Sequence, residues 1–398
     1  MKENYQIKNT AAMAGIIFVA LALRPALVSL GPALVAIRND FEMSHFAAGA
    51  LISIPDLLMG LMALPTPWLM KKIGRDNLVF ASLGLVAIST VARAYAPNIG
   101  FLLLYTAGVG TGIAIAGTIL SGFVKANFPT RTAFVMGIYA ASLSIGSTLS
   151  AFSTAPLLKV TGSWRIATGV WALPAVAGLV AWFIVKVKET KYVKSPIVFD
   201  TPKIPWKNGL AWRIAIFFAC VNLIFYAMIT WTASMFIENG LPGNIAGSIL
   251  GFFTLIFTLS SFTIGGFSKS RDRRTLLIGS SQVTLVGFIL MYFFTGAVAI
   301  VFVGIVAAGL GAAFTLAMTL PLDNTLDPDE TNSWTAFVMT IGYLIAAAGP
   351  LLLGLIRDMT GDFKIPVLTL MGVSMGMILI GNSLKPRKLR FSDLYKRS

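Results

Sequence analysis

Between Ala11 and Ile37 the chain runs AAMAGIIFVALALRPALVSLGPALVAI, 27 residues with a single charge, Arg24, near the centre. At about 1.5 Å per residue a helix of that length crosses a hydrocarbon core of about 30 Å. A guanidinium at mid-bilayer costs about 2.5–3.5 kcal/mol on insertion scales, so it must face protein or a water-filled cavity. Pro25 follows at once and removes a backbone donor, and Gly31-Pro32 adds a second weak point one to two turns later. A broken helix with a cation at its middle suits the binding of a small anion or an electron-rich polar solute. The alternative reading is an arginine that only ties helices together.

The composition of all 398 residues is in keeping with a membrane chain: 56% are hydrophobic, 12% are charged, and the mean hydropathy is +0.81. A soluble domain averages about 25% charged residues, so an integral membrane protein is expected. One cysteine, Cys220, and one histidine, His45, supply neither a disulfide framework nor a thiolate or multi-histidine metal set. No metal, cofactor or enzyme chemistry is therefore expected. No glycine-rich segment has the phosphate-loop spacing that ends in Lys-Ser or Lys-Thr, which argues against ATP drive within the chain. The N-terminus, MKENYQIKNT ahead of a long apolar span, reads as part of a retained first helix rather than a cleaved signal.

Twelve apolar spans are expected, at about 11–37, 45–70, 77–95, 99–125, 131–158, 164–186, 209–237, 244–268, 275–294, 296–321, 333–356 and 364–384. An even number puts both termini on one side. With the N-terminus inside, 24 Lys and Arg fall on the inner face and 6 on the outer, Arg24 being the remaining one of 31. The positive-inside rule then sets the topology, with both termini cytoplasmic, and the net charge of +15 belongs to that face rather than to a nucleic-acid site.

The longest polar connection, KVKETKYVKSPIVFDTPKIPWKN, divides the spans six and six. The organisation expected is a first half over 1–186, a central loop over 187–208, a second half over 209–384 and a basic tail over 385–398. The halves are related by sequence. Thr132–Met136 (TAFVM) recurs as Thr335–Met339, Gly110-Thr-Gly112 aligns with Gly309-Leu-Gly311, and Ala48-Gly49 with Ala246-Gly247, at offsets of 203, 199 and 198. Three matches at nearly one offset indicate a duplicated six-helix unit.

Asp56 is the second charge at depth, in LISIPDLL of the second span. Counted from the turn near Phe41, Arg24 lies 17 residues back and Asp56 15 forward, so an antiparallel hairpin puts them within about 3 Å in depth. Protonation of Asp56 would then release Arg24 for an anion, and departure of the anion would restore the pair. Asp56 also reads as a permanent salt-bridge partner or as a structural hydrogen bonder. In the seventh span Asn222, Tyr226 and Thr230 recur at i, i+4 and i+8 on one helix face. Tyr139 and Ser142 in the fifth span, Thr118 in the fourth, Thr315 in the tenth and Tyr343 in the eleventh lie at similar depth. Each of these doubles as a helix-packing hydrogen bonder. Asp40, Glu42 and Glu238 fall at outer span ends and are expected to be solvated, while Asp323 with Asn324 ends the tenth span in a gating or loop-contact position. His45 opens the second span at the outer interface, where a pH-sensing role is a minor reading.

Two six-helix halves, a basic central loop and basic loops after the second and eighth spans resemble the major facilitator superfamily over essentially the whole chain. Lys71 to Asp76, KKIGRD, is similar to that superfamily's signature loop, with Lys71 where an acid is usual, and Ser270 to Arg274, SRDRR, is its weaker counterpart. Leu23-Arg-Pro-Ala26 followed by Gly31-Pro32 resembles the cyanate and nitroimidazole transporter family, in which an Arg-Pro pair in the first helix is characteristic. The resemblance implies an all-α membrane fold of twelve helices, alternating access at the inner membrane, and gating by Lys71, Arg75 and Asp323. It implies a central path lined by Arg24, Asn222, Tyr226, Tyr139, Thr118 and Tyr343, with the third, sixth, ninth and twelfth spans outside. The expected partners are a small-molecule substrate, protons and lipids, with the protein a monomer. Cyanate-like anions or nitroaromatics are the implied cargo. The rivals are a multidrug efflux pump with an aromatic pocket and a transporter-like solute receptor.

Overall fold

In the computed structural model, which describes residues 2–128, 132–189, 204–267, 272–294, 296, 298–325 and 328–386, every long apolar stretch is a helix. We number the membrane-length helices α1 to α12. The first half holds α1 (Lys2–Leu23, Pro25–Val28 and Leu30–Phe41 in series), α2 (His45–Ala63, prolonged by Thr66–Ile73), α3 (Arg75–Ala94), α4 (Ile99–Asn127), α5 (Thr132–Thr161) and α6 (Trp164–Gly169 with Leu173–Glu189). The second holds α7 (Gly209–Glu238), α8 (Gly243–Phe267), α9 (Arg274–Phe293), α10 (Ala299–Asp323), α11 (Pro328–Ala346 with Ala348–Thr360) and α12 (Lys364–Ser383). Among the described residues eleven stretches are long and apolar enough to cross a membrane by length and composition alone. The twelfth segment, α5, has 30 residues and is interspersed with Ser, Thr and Gly. Most of the central connection and of the basic tail lies outside the described residues.

Helix α1 breaks where its prolines require. Pro25 has no N–H for the carbonyl of Leu21, four residues earlier, and that carbonyl turns to α5, where a Cβ on Gly146 would lie 2.6 Å from it. Arg24 itself leaves the helical pattern, and its carbonyl accepts from both Leu27 N at 3.1 Å and Val28 N at 3.0 Å. The break therefore sits at the arginine.

The packing repeats between halves. Helix α3 lies on α4 as α9 lies on α10; α2 on α4 as α8 on α10; α1 on α5 as α7 on α11. The halves meet along two equivalent seams, α2 on α11 and α8 on α5. Gly49 and Gly247, matched in sequence, serve these seams alike: a Cβ on Gly49 would lie 2.5 Å from the Pro350 carbonyl, and one on Gly247 would overlap Ala155. The Gly-x-Gly pairs of α4 and α10 behave differently. Gly112 and Gly309 are the members that admit the third and ninth helices, whereas Gly110 meets Pro55 of α2 and Gly311 meets Phe257 of α8. Each pair separates two neighbours, in opposite order.

Close approach at Gly112 is a testable constraint on stability. A Cβ there would lie 2.5 Å from the Ser82 carbonyl oxygen and 2.6 Å from Val86 Cγ2, and overpacking of this kind costs about 1–3 kcal/mol. Gly112→Val is expected to lower the melting temperature of the purified protein in detergent, read by tryptophan fluorescence, while Gly137→Ala, at a position facing open space, leaves it unchanged.

Candidate functional site

Arg24 lies where α1 of one half meets α7 of the other. Its Nη1 donates to the Tyr226 hydroxyl at 2.5 Å, and the guanidinium carbon stands 5.8 Å from the centre of that ring. The Tyr226 and Tyr343 rings are 6.4 Å apart. Tyr139 of α5 and Asp56 of α2 complete the group around the cation, close enough for its charge to act on both. Five of the residues singled out in the sequence, drawn from five helices, thus converge on one spot at the junction of the halves.

The electrostatics of this group are incomplete. Among the described residues Arg24 forms no ion pair, and its one side-chain hydrogen bond there is to a neutral phenol. Asp56 is fully buried, with both carboxylate oxygens lacking a hydrogen bond of good geometry even though Tyr226 is its near neighbour. The permanent-bridge reading of Asp56 therefore finds no direct contact in this conformation. Tyr226 is buried, whereas Arg24 and Tyr139 keep part of their surface accessible. A group able to offer lone pairs to Arg24 meets a cation whose bonds are not filled.

The remaining expected residues stand differently. Asn222 is buried and donates to the Phe218 carbonyl at 2.8 Å, and Thr118 donates to Ala114 at 2.8 Å, so both are occupied by their own helices. Thr230 likewise bonds Tyr226 O at 2.7 Å. Arg75 pairs with Asp76 at 2.8 Å and stacks over Phe123 and Trp182, all in the first half, and Arg273 pairs with Asp323 inside the second. These contacts brace one half each; none of them spans the two. The Lys71 side chain lies outside the described residues.

Two features were missed. Arg93, one of the six Lys and Arg counted above on the outer face, is fully buried; its Nη2 donates to the Ala26 carbonyl at 2.8 Å, next to the break in α1, while Nε and Nη1 have no hydrogen-bond partner among the described residues. Its position at the last turn of α3 gave no signal of that reach. On the same face His45, Arg38, Glu238, Arg357 and Asp358 form one cluster across the halves. Glu238 is partly solvated as expected but is also bonded to Arg357 at 3.0 Å. A cleft of about 370 Å³ opens nearby between Pro32, Ala155, Leu158 and Ile237; it contains none of the convergent group.

A model of the Major Facilitator Superfamily matches residues 13–350. The chain belongs to that superfamily. It is 30% identical over 353 residues to the cyanate transport protein CynX of Escherichia coli K12, covering 87% of this chain and 90% of that one. It is 25% identical to the 2-nitroimidazole transporter of the same organism, covering 93% and 94%. These matches place it in the cyanate and nitroimidazole transporter-like group and make it a transporter, not an enzyme. Among solved structures, a bacterial homologue of the human lysosomal transporter Spinster in an inward-facing, occupied conformation has a TM-score of 0.70 at 14% identity, with 96% of each chain covered. That likeness is one of fold, the twelve-helix fold of two pseudo-symmetric halves.

Removing the phenol oxygen tests how much Arg24 relies on it. A hydrogen bond to a charged group is worth about 1.5–3 kcal/mol, so Tyr226→Phe should lower unfolding stability by about that amount, measured by thermal melting in detergent. Tyr343→Phe, whose hydroxyl makes no bond to Arg24, should change it far less.

Proposed function

We propose that this transporter carries a small anion, or a polar solute rich in lone pairs, across the inner membrane by alternating access, with Arg24 as the binding group. The observation that carries this reading is the guanidinium at the junction of the halves, with no carboxylate bonded to it among the described residues. An ionisable side chain held at membrane depth marks a substrate or ion path by default. The surrounding phenols of Tyr226, Tyr139 and Tyr343 offer hydroxyls and ring edges to the same solute. Cyanate is a small anion, and a nitroimidazole presents nitro oxygens; the relatives' named cargoes share the chemistry that a guanidinium recognises. The basic face, with Arg75, Arg273 and Arg274, is the cytoplasmic one by the positive-inside rule, so the His45 face is external.

Asp56 is the proton site in this scheme. When ionised it competes with an anionic solute for Arg24; when protonated it leaves the cation free. Anion affinity accordingly rises as pH falls through the Asp56 titration, and one proton travels with each anion. A multidrug pocket is the second reading, favoured by the aromatic cluster of Phe225, Phe253, Phe257 and Phe314 beside the site, with ring separations from 4.6 to 6.4 Å. The unmatched charge of Arg24 opposes lipophilic cations as its cargo.

Proteoliposome assays with cyanate and with 2-nitroimidazole test both roles. Truncating one member of a buried charged contact costs about 2–5 kcal/mol, so Arg24→Gln should weaken binding by at least about thirtyfold. Unchanged binding in Arg24→Gln removes the anion reading. Asp56→Asn should keep exchange of solute but lose accumulation driven by an imposed pH difference; accumulation at the wild-type level removes the proton assignment.

A further inference from the structure

The chain's single histidine sits at the seam between the halves, at the N-terminus of α2, and is 5% exposed. Its Nδ1 is 2.6 Å from Asp358 Oδ1 on α11. Its Nε2 is 2.7 Å from Arg38 Nη1 on α1 and 3.4 Å from Glu238 Oε1 on α7. Asp358 also accepts from the backbone N–H of His45 at 3.1 Å and of Phe46 at 2.9 Å, so a carboxylate of one half caps a helix of the other. Glu238 is held in turn by Arg357 Nε at 3.0 Å, and Arg38 Nε donates to the Met43 carbonyl at 3.3 Å. The Trp231 and Phe363 rings enclose the imidazole at 5.5 and 6.0 Å. A Cβ on Gly354 would lie 2.5 Å from the His45 carbonyl, so the backbones themselves touch here.

A guanidinium only donates, so Nε2 at 2.7 Å must accept, and Nδ1–H must donate to Asp358. The form that fits these contacts is the neutral imidazole, surrounded by two cations, Arg38 and Arg357, and two carboxylates, Glu238 and Asp358, whose charges cancel. Adding a proton at Nε2 places two donors against each other and expels Arg38, which belongs to the same half. The new N–H turns to Glu238, and the imidazolium then holds two carboxylates, both from the opposite half.

We propose that the His45 cluster is a second proton-binding site, separate from Asp56, at which proton uptake tightens the closure between the halves and proton loss loosens it. Imidazole is suited to this because its charge changes within the physiological pH range. The carboxylates of Glu238 and Asp358 are partly solvated, at 32% and 27% exposure, and give the proton a route from the aqueous face. Closure of this face thus responds to the pH that this face meets, whatever the transported solute.

Spin labels at Val160→Cys on α5 and Ile245→Cys on α8, both exposed positions on this face, report the separation of the halves in a Cys220→Ser background. Pulsed electron-spin distance measurements in lipid nanodiscs, without solute, are compared at about pH 8 and about pH 5. The ratio of short to long distances should rise at least about threefold at the lower pH, since two charge-assisted contacts replace one. His45→Gln should abolish that response, Asp358→Asn should reduce it, and Asp56→Asn should preserve it. A wild-type ratio that does not change, a change of opposite sign, or a full response in His45→Gln overturns the proposal. A response lost in Asp56→Asn but kept in His45→Gln assigns the pH effect to the central site instead.

Discussion

A guanidinium inside a bundle that excludes water has to be matched by something, and the arrangement around Arg24 follows from how incompletely the protein matches it. Pro25 breaks α1 at that residue, which lets the side chain and the backbone leave the regular helix together. Tyr226 supplies one hydrogen bond across the junction, and Asp56 stands near without bonding. The helix break, the phenols and the buried carboxylate are separate features in the chain, yet each has meaning only in relation to the charge they surround. A second cation, Arg93, reaches the backbone just beyond the break, so α1 is supported from behind by a charge that is itself only partly satisfied.

The two seams between halves are built for contact rather than for permanence. At Gly49 and Gly354 the backbones approach so closely that a side chain would keep them apart, and Gly247 lies against the Ala155 methyl with no room for another. Such small-residue contacts bind through packing over short distances, and they are lost as soon as the helices separate. The His45 cluster adds directional bonds to one of these seams. The ion pairs of the opposite face brace each half internally: Arg75 with Asp76, Arg273 with Asp323. Among the described residues, the His45 cluster is where charged side chains bond from one half to the other.

Much of the fold was legible in the chain because membrane length, charge placement and duplication are each local or periodic signals. The same holds for the central group: Arg24 and Asp56 could be put at one depth by counting from a turn, and Tyr226 by its helix face. What counting could not do was separate Tyr226 from Asn222 four residues away, since both occupy the same face; the amide bonds its own helix and the phenol reaches across. His45, Glu238 and Asp358 could be assigned to one face by topology, but their contact depends on how α2, α7 and α11 are rotated about their axes. Arg93 looked like an outer-face charge and is buried because α3 packs behind α1 at the break.

By itself the sequence determined a twelve-span membrane chain in two related halves, with a cation at the centre of a proline-broken first helix. These follow from hydropathy, charge count and proline geometry, which act along the chain and need no partner. Only the tertiary structure decided which polar groups are left unmatched and which bonds cross between the halves. Those properties depend on the rotation and depth of helices far apart in sequence, and angstrom-scale differences there separate a filled hydrogen bond from an open one.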